Sequence, residues 1–178
     1  MLAGGIDVIQ LRAKTHSIPT STKLANSLHQ LTFPANVPLI INDYPDIAAA
    51  VGAEGVHVGQ DDRSIAEVKA IVGENCLVGK STHSVDQAVA AEAEGADYIG
   101  FGPLFATPTK PDYKPIGLAQ IAEVHEKVRI PIFCIGGIKA ANLAGVISAG
   151  ARRLVIVSEL LQAPDIPAYV RSLKQQLA

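Results

Sequence analysis

Near its middle the chain reads Ala93-Glu-Gly-Ala-Asp-Tyr-Ile-Gly-Phe-Gly-Pro103, where an Ala/Glu-rich segment gives way through glycine to a short apolar run. The segment before it, Ser84–Glu94, has apolar side chains at helical spacing with acidic and amide side chains between them, which predicts an amphipathic helix. The run that follows is apolar almost throughout, as expected for a parallel strand covered on both faces. The intervening glycine suits the left-handed residue with which helices commonly end. This stretch therefore predicts a helix, a tight turn and a buried strand.

The same joint recurs along the chain. Its other copies read Leu2-Ala-Gly-Gly-Ile-Asp-Val-Ile9, Val51-Gly-Ala-Glu-Gly-Val-His-Val58 and Ala149-Gly-Ala-Arg-Arg-Leu-Val-Ile156. Seven runs of this type predict strands: Ile6–Arg12, Pro38–Asp43, Gly55–Gly59, Leu77–Thr82, Tyr98–Pro103, Ile130–Gly137 and Arg153–Val157. Further amphipathic segments predict helices: Ile65–Val72, Leu118–Lys127, Ala140–Ala149 and Ile166–Leu177. Alternation this regular indicates right-handed βαβ units on a parallel sheet.

Seven strands are one fewer than a closed (β/α)8 barrel contains. Leu2–Gly5 resembles the end of a helix, so one strand and one helix before it would complete the count. We therefore predict a single α/β domain over residues 1–178, a (β/α)8 TIM-type barrel that lacks its first strand and helix. The alternative is an open doubly wound sheet with two exposed edges. That fold favours a glycine-rich loop after its first strand, and none follows Arg12.

Composition excludes several classes of protein. The 178 residues are 48% hydrophobic and 18% charged, which is sufficient apolar mass for a buried core and argues against disorder. The net charge of −2 is too balanced for a dedicated nucleic-acid binder. We find neither an apolar run of 18 residues nor a signal-peptide pattern, so we expect a cytoplasmic protein without a membrane partner. Cys76 and Cys134 lie apart in apolar stretches and are interpreted as small buried residues. Association into a homo-oligomer is left open.

Polar and glycine residues follow every predicted strand. In a parallel α/β barrel the carboxyl ends of the strands carry the catalytic groups. Asp43 with Asp61 or Asp62 would supply hard oxygen ligands from two strands, which suits Mg²⁺. Arg12 and Lys14, together with Lys110, are cations suited to a diphosphate.

Two further strand ends suit a second phosphate. Gly136 and Gly137 expose the backbone after one strand, and Ser158 precedes a helix-like Glu-Leu-Leu after the next. Backbone N–H groups at such positions commonly hold phosphate in barrels. The pattern predicts a site for two phosphorylated small molecules.

Six motifs in order resemble thiamine-phosphate synthase, over Gln10 to about Ser158. They are Gln10-Leu-Arg-Ala-Lys14, Ile41-Asn-Asp43, Gly55-Val-His-Val-Gly-Gln-Asp-Asp62, Gly79-Lys-Ser-Thr-His83, Gly102-Pro-Leu-Phe-Ala-Thr-Pro-Thr-Lys110 and Ile135-Gly-Gly-Ile138. The resemblance implies a (β/α)8 transferase that joins hydroxymethylpyrimidine diphosphate to thiazole phosphate, giving thiamine phosphate and pyrophosphate. It also implies that Mg²⁺ and cationic side chains stabilise the leaving pyrophosphate, and that the thiazole nitrogen captures a pyrimidine-stabilised carbocation.

The resemblance assigns roles at matching positions of this sequence. Contacts to the pyrimidine diphosphate fall on Gln10, Arg12, Lys14, Asn42, Ser81 and Lys110. Contacts to the thiazole phosphate fall on Thr107, Thr109, Gly137, Val157 and Ser158. The Mg²⁺ ligands would be Asp43 and Asp62. Among these, Arg12, Lys14, Ser81 and Lys110 are expected to act in catalysis, which depends on positioning and charge stabilisation rather than on proton transfer.

The sequence leaves two alternative functions open. A thiazole tautomerase shares the Gly-x-Ser-x-His element, and His83 would then transfer protons without a metal. That relative tends to lose the carboxylates and part of the Gln-Leu-Arg-x-Lys motif, which are present here. A non-catalytic phosphate-binding remnant is the third hypothesis. His57 is interpreted as a core histidine with satisfied ring nitrogens, and Asp61 as the cap of the following helix.

Overall fold

The structure is a computed structural model that describes residues 1–107 and 113–177. Its strands are β1 (Ile9–Leu11), β2 (Leu39–Asn42), β3 (Gly55–Val58), β4 (Leu77–Thr82), β5 (Tyr98–Phe101), β6 (Ile132–Ile135) and β7 (Leu154–Val155). Its helices are α1 (Ile18–Thr32), α2 (Pro45–Val51), α3 (Ile65–Val72), α4 (Val85–Ala93), α5 (Ile121–Lys127), α6 (Ala140–Ser148), α7 (Ser158–Gln162) and α8 (Ile166–Leu177). Short 3-10 turns cover Leu2–Gly4 and Phe33–Ala35.

The strands form one parallel sheet in the order β1-β2-β3-β4-β5-β6-β7, each hydrogen-bonded to the next along the chain. Sequential order with a helix between strands is the arrangement of a TIM-type barrel, so the α/β class and the parallel sheet are confirmed. Across residues 1–107 and 113–177, no ladder pairs β7 with β1. All seven predicted strands are present, most of them shorter than predicted.

The predicted helices are also present, with ends shifted by up to three residues. The helix-like Glu-Leu-Leu after Ser158 forms α7, whereas α1 and α2 were not predicted. Within the described part of the chain, no helix has the length and apolar character needed to cross a membrane.

The core lies on both faces of the sheet. Every residue of β2 and β3 is buried, which explains why their sequences lack polar alternation. The largest fully buried side chains include Leu39, Ile41, Ile99 and Phe101, one pair on β2 and one on β5.

Both cysteines are buried free thiols, as predicted. Burial raises the pKa of Cys134 to about 11, so this thiol stays protonated and unreactive at neutral pH.

Two local expectations have different outcomes. Gly52 adopts the left-handed conformation at the end of α2 (φ 69°), as the repeated joint predicted. The expectation that Asp61 caps the following helix is wrong. Ser64 caps α3 instead, in a capping box with Glu67, because its side chain reaches the backbone N–H of the third helical residue.

Candidate active site

The predicted site residues within the described chain lie at one edge of the sheet. Because the seven strands are parallel and sequential, their carboxyl ends all point the same way. The residues found at or just after these ends are Gln10, Arg12, Lys14, Asn42, Asp43, Asp62, Ser81, Thr107, Gly137, Val157 and Ser158. Thr109 and Lys110 lie outside the described residues.

Lys14 and Asp43 form an ion pair across the ends of β1 and β2. Lys14 Nζ lies 2.8 Å from Asp43 Oδ2, and the side chains are 49% and 15% exposed respectively. The Asp43 backbone N–H donates to the carbonyl of His57 on β3 (2.9 Å). Asp43 also has a φ of 67°, a conformation that a residue other than glycine seldom adopts outside constrained sites. A predicted cation and a predicted carboxylate are thus brought together.

Asn42, the last residue of β2, is buried with an unpartnered donor. Its side-chain Nδ2 has no hydrogen-bond partner among the described residues. Buried amide donors are normally satisfied, so an orphaned one beside Asp43 is consistent with a polar ligand at this strand end.

Asp62 lies in the loop after β3. Its Oδ2 accepts a hydrogen bond from the backbone N–H of Gly59 (2.7 Å), which holds the exposed carboxylate over the end of the strand. A Cβ at Gly59 would lie 2.9 Å from that oxygen, so the absence of a side chain there makes room for the contact.

Ser81 is held from two sides near the end of β4. Its hydroxyl Oγ lies 2.9 Å from His57 Nε2, and its carbonyl accepts from Gln60 Nε2 (2.6 Å). His57 Nδ1 lies 3.1 Å from the hydroxyl of Tyr98 on β5. The interpretation of His57 as a buried histidine with satisfied ring nitrogens is confirmed.

The contact of His57 with Ser81, and the place of Tyr98 behind it, were missed by sequence reasoning. A signal existed in the two glycines of the adjacent strands. A Cβ at Gly79 would lie 2.0 Å from Tyr98 Cζ, and one at Gly100 would lie 3.3 Å from His57 Cε1. Glycine inside an apolar strand often marks a place where another group approaches closely.

Gly137 brings the loops after β5 and β6 together. It adopts a φ of 63°, and a Cβ there would lie 2.7 Å from both Ala106 O and Phe105 Cβ. Only glycine fits this approach, which places the backbone of residue 137 beside the segment leading to Thr107. After β7, Val157 immediately precedes α7 and Ser158 is its first residue.

A family model described as thiamine monophosphate synthase matches residues 1–160 of the chain. The chain belongs to the thiamine monophosphate synthase family. The thiamine-phosphate synthase of Shouchella clausii is 44% identical over 173 residues, which cover 97% of this chain and 83% of that protein. The thiamine-phosphate synthase of Thermus thermophilus is 42% identical over 177 residues, covering 99% of this chain and 85% of that protein.

Two solved structures resemble the chain, and the first of them agrees with the family. A thiamine phosphate pyrophosphorylase from Pyrococcus furiosus superposes with a TM-score of 0.91 at 32% identity, covering 99% of this chain and 85% of that chain. A 3-hexulose-6-phosphate synthase superposes with a TM-score of 0.75 at 22% identity, covering 99% and 90% respectively. The second likeness concerns the fold alone.

Two predicted site residues of this family member, Gln10 and Arg12, have no polar contact with the others in the described part of the chain. Gln10 is exposed in β1 and Arg12 is half-buried just after it. Within residues 1–107 and 113–177, neither side chain forms a hydrogen bond or ion pair with another predicted site residue. Only their position near the carboxyl end of β1 places them with the other site residues.

His83, the residue of the tautomerase interpretation, is occupied by local contacts in this family member. Its Nδ1 hydrogen-bonds the carbonyl of Gly102, which requires a proton on that nitrogen. Its ring packs on Tyr113 with centroids 4.5 Å apart. Its Nε2 is buried and has no hydrogen-bond partner in the described residues. His83 therefore holds the Gly102 turn and the Tyr113 segment together.

Proposed function

We propose that this member of the family joins hydroxymethylpyrimidine diphosphate to thiazole phosphate by an Mg²⁺-assisted dissociative displacement. The bond between the pyrimidine methylene carbon and the diphosphate oxygen breaks first, and its electron pair leaves with pyrophosphate. The thiazole nitrogen then donates its lone pair to the carbocation, giving thiamine phosphate. The observation that carries the proposal is the Lys14–Asp43 ion pair at an edge shared by the other described site residues. A cation and a carboxylate there can serve a diphosphate and a metal together.

The chemistry of the available donors supports Mg²⁺ as the proposed metal. Asp43 and Asp62 would hold it with carboxylate oxygens from the ends of the neighbouring strands β2 and β3. Mg²⁺ usually takes one or two carboxylates and completes its shell with water and substrate phosphates. When bound, it would neutralise charge on the departing diphosphate.

The chain's own cations and donors would then act on the diphosphate. Lys14 orients Asp43 through their 2.8 Å contact and contributes positive charge, as Arg12 and Lys110 are proposed to do. Asn42 and Ser81 supply neutral donors, and Gln10 is proposed to contact the pyrimidine. Fixed donors aimed at developing charge lower the barrier without a proton-transfer residue.

The thiazole phosphate is proposed to bind at the ends of β5, β6 and β7. Gly137 supports this assignment by position, because it follows β6 and packs closely on Phe105 and Ala106, which lead to Thr107. Thr107, Thr109, Val157 and Ser158 would complete this half of the site. The two substrates would then meet over the end of the sheet, with the thiazole nitrogen facing the methylene carbon.

We infer that residues 1–178 form a single domain whose sheet corresponds to seven strands of a (β/α)8 barrel. The TM-score of 0.91 with the Pyrococcus furiosus pyrophosphorylase supports this inference. Its partners would be small phosphorylated molecules rather than nucleic acid or membrane, and its location cytoplasmic. The family relationship makes it an enzyme, a transferase of thiamine biosynthesis.

The test is an assay of the purified protein with both substrates and Mg²⁺, following thiamine phosphate and pyrophosphate. We expect Asp43→Ala and Asp62→Ala to lower kcat/KM by about 100-fold or more, since metal charge stabilisation is worth several kcal/mol. Asp61→Ala, which removes the exposed neighbouring carboxylate, is the matched control and should stay near the parent rate. Full activity of both alanine variants would refute the metal assignment. Absence of product from the parent protein would refute the function.

A further inference from the structure

Three polar side chains form a hydrogen-bonded chain across β3, β4 and β5. The Tyr98 hydroxyl lies 3.1 Å from His57 Nδ1, and His57 Nε2 lies 2.9 Å from Ser81 Oγ. The ring of His57 is buried, and it lies against Gly100, where a Cβ would approach to 3.3 Å. Tyr98 lies across Gly79, where no side chain would fit. The strands are thus shaped around this chain of contacts.

The protonated hydroxyl of Tyr98 decides which atom donates in the Tyr98–His57 and His57–Ser81 hydrogen bonds. Burial raises the pKa of Tyr98, so its hydroxyl keeps its proton. Within the described residues that hydroxyl has one hydrogen-bond partner, His57 Nδ1. A buried O–H left without an acceptor is costly, so Tyr98 donates and Nδ1 accepts. In a neutral imidazole the other nitrogen then carries the proton, and Nε2–H donates to Ser81 Oγ.

This direction of hydrogen bonding leaves the Ser81 hydroxyl as a donor. Its oxygen accepts from His57, so its own hydroxyl hydrogen is left for another acceptor. Gln60 holds the carbonyl of the same residue (2.6 Å), which fixes the backbone from which the hydroxyl projects. The reverse arrangement, with Ser81 donating to Nε2, would leave the Tyr98 proton unsatisfied in the interior.

We propose that His57, with its tautomer set by Tyr98, is a positioning residue that holds Ser81 as a hydrogen-bond donor to the leaving diphosphate. The inference rests on the proposed function, which assigns Ser81 to the pyrimidine diphosphate. Diphosphate oxygens gain negative charge as the carbon–oxygen bond breaks. A hydrogen bond that Ser81 donates to them is therefore stronger in the transition state than in the ground state. The effect of His57 therefore belongs mainly to kcat.

Two substitutions of His57 separate positioning from space filling. A glutamine amide nitrogen can reach the place of Nε2 and donate to Ser81, whereas an asparagine amide reaches only the place of Nδ1. We expect His57→Asn to lower kcat by about 10-fold with KM changed less than about threefold, a weaker loss than removal of a direct donor. His57→Gln should keep kcat within about threefold of the parent.

A double-mutant cycle supplies the second readout. If His57 acts through Ser81, His57→Asn should change kcat by less than about twofold in a Ser81→Ala background. Tyr98→Phe keeps the ring and removes only the hydroxyl, so it tests the same chain of contacts if His57→Asn fails to fold, and it should lower kcat by about threefold to tenfold. Thermal unfolding and calorimetric binding of pyrophosphate show which variants are folded.

Equal losses in His57→Asn and His57→Gln, or a full 10-fold further loss in the Ser81→Ala background, would overturn the inference. An active parent with an unaffected His57→Asn variant overturns the inference alone. A parent that makes no thiamine phosphate overturns the proposed function, and the inference with it.

Discussion

Gly79 on β4 and Tyr98 on β5 lie directly opposite each other in the register of the two strands. The phenol ring lies where a side chain at residue 79 would be, with a hypothetical Cβ only 2.0 Å from Tyr98 Cζ. A ring cannot bend away as a flexible side chain would, so the strand or the ring must move if a methyl group is added. This glycine is required for packing rather than for its backbone conformation.

We expect Gly79→Ala to destabilise the protein by about 1–3 kcal/mol, as overpacked cores generally do. Urea unfolding measures the change. Gly145→Ala is the matched control, because that glycine lies inside α6 and a Cβ there would make only an ordinary 3.9 Å contact with Leu118. Alanine should stabilise that helix by about 0.5–1 kcal/mol. An unchanged free energy of unfolding in Gly79→Ala would show that the Tyr98 ring has room to move.

At this scale the sequence predicted residue types but not their contacts. Asp43 and Lys14 could be assigned to one site because each follows a strand, and parallel strand ends share an edge. The pairing of His57 with Tyr98, 41 residues apart, depends on strand register. Alternation of apolar and polar residues normally specifies register, and β3, which is buried throughout, lacks that alternation.

Among the elements, α1 shows why some helices escaped prediction. Its first turns contain Thr20, Ser21 and Thr22, which are weak helix formers. Leu31 is exposed near its end, so apolar and polar residues do not separate cleanly into two faces. Ser17 caps the helix, and the helix packs on α2 and β2. By contrast α3 and α8 have the predicted bounds because their apolar spacing is regular.

The carboxylate of Glu54 joins α1 to β2. Its Oε2 accepts from the backbone N–H of Leu39 (2.7 Å), and its Oε1 lies 3.0 Å from His29 Nε2. Burial alone would raise the pKa of Glu54, but the hydrogen bonds from Leu39 and His29 outweigh it and leave the pKa below the ordinary 4.5. A carboxyl group with a lowered folded-state pKa stabilises the fold above its unfolded pKa, and this stabilisation is lost as the pH falls through the folded value.

We therefore expect Glu54→Gln to lower the urea midpoint at neutral pH and to differ less from the parent as the pH falls below about 4.5. Urea titrations at neutral and acidic pH measure both midpoints. Glu74→Gln is the control, since Glu74 is exposed and has no hydrogen bond in the described residues, and it should leave both midpoints unchanged. A difference between Glu54→Gln and the parent that stays constant with pH would contradict the assignment of this carboxylate.

On the scale of the whole molecule, the first and last segments of the described chain pack against each other. The turn at Leu2–Gly4 contacts α8, and Gly4 is buried beneath it. Lys174 on α8 donates to Gly5 O (2.7 Å) and pairs with Asp7 (2.6 Å). These contacts join residues about 170 positions apart, on the side where β1 and β7 form no ladder in the described chain. The packing of the turn on α8 thus contributes to holding the two ends of the sheet.

The steric part of this packing can be separated from the electrostatic part. A Cβ at Gly4 would lie 2.8 Å from Pro167 O and 2.8 Å from Val170 Cβ, so Gly4→Ala should push α8 outward and destabilise the protein by about 1–3 kcal/mol. Asp7 is 78% exposed, so Asp7→Asn should cost less than about 1 kcal/mol. Hydrogen exchange should rise in α8 of the Gly4→Ala variant before it rises in α4, because only α8 loses its partner. Equal stability of the two variants would mean that the turn yields to the added methyl group, and that α8 is held mainly by α6 and α7, which it also contacts.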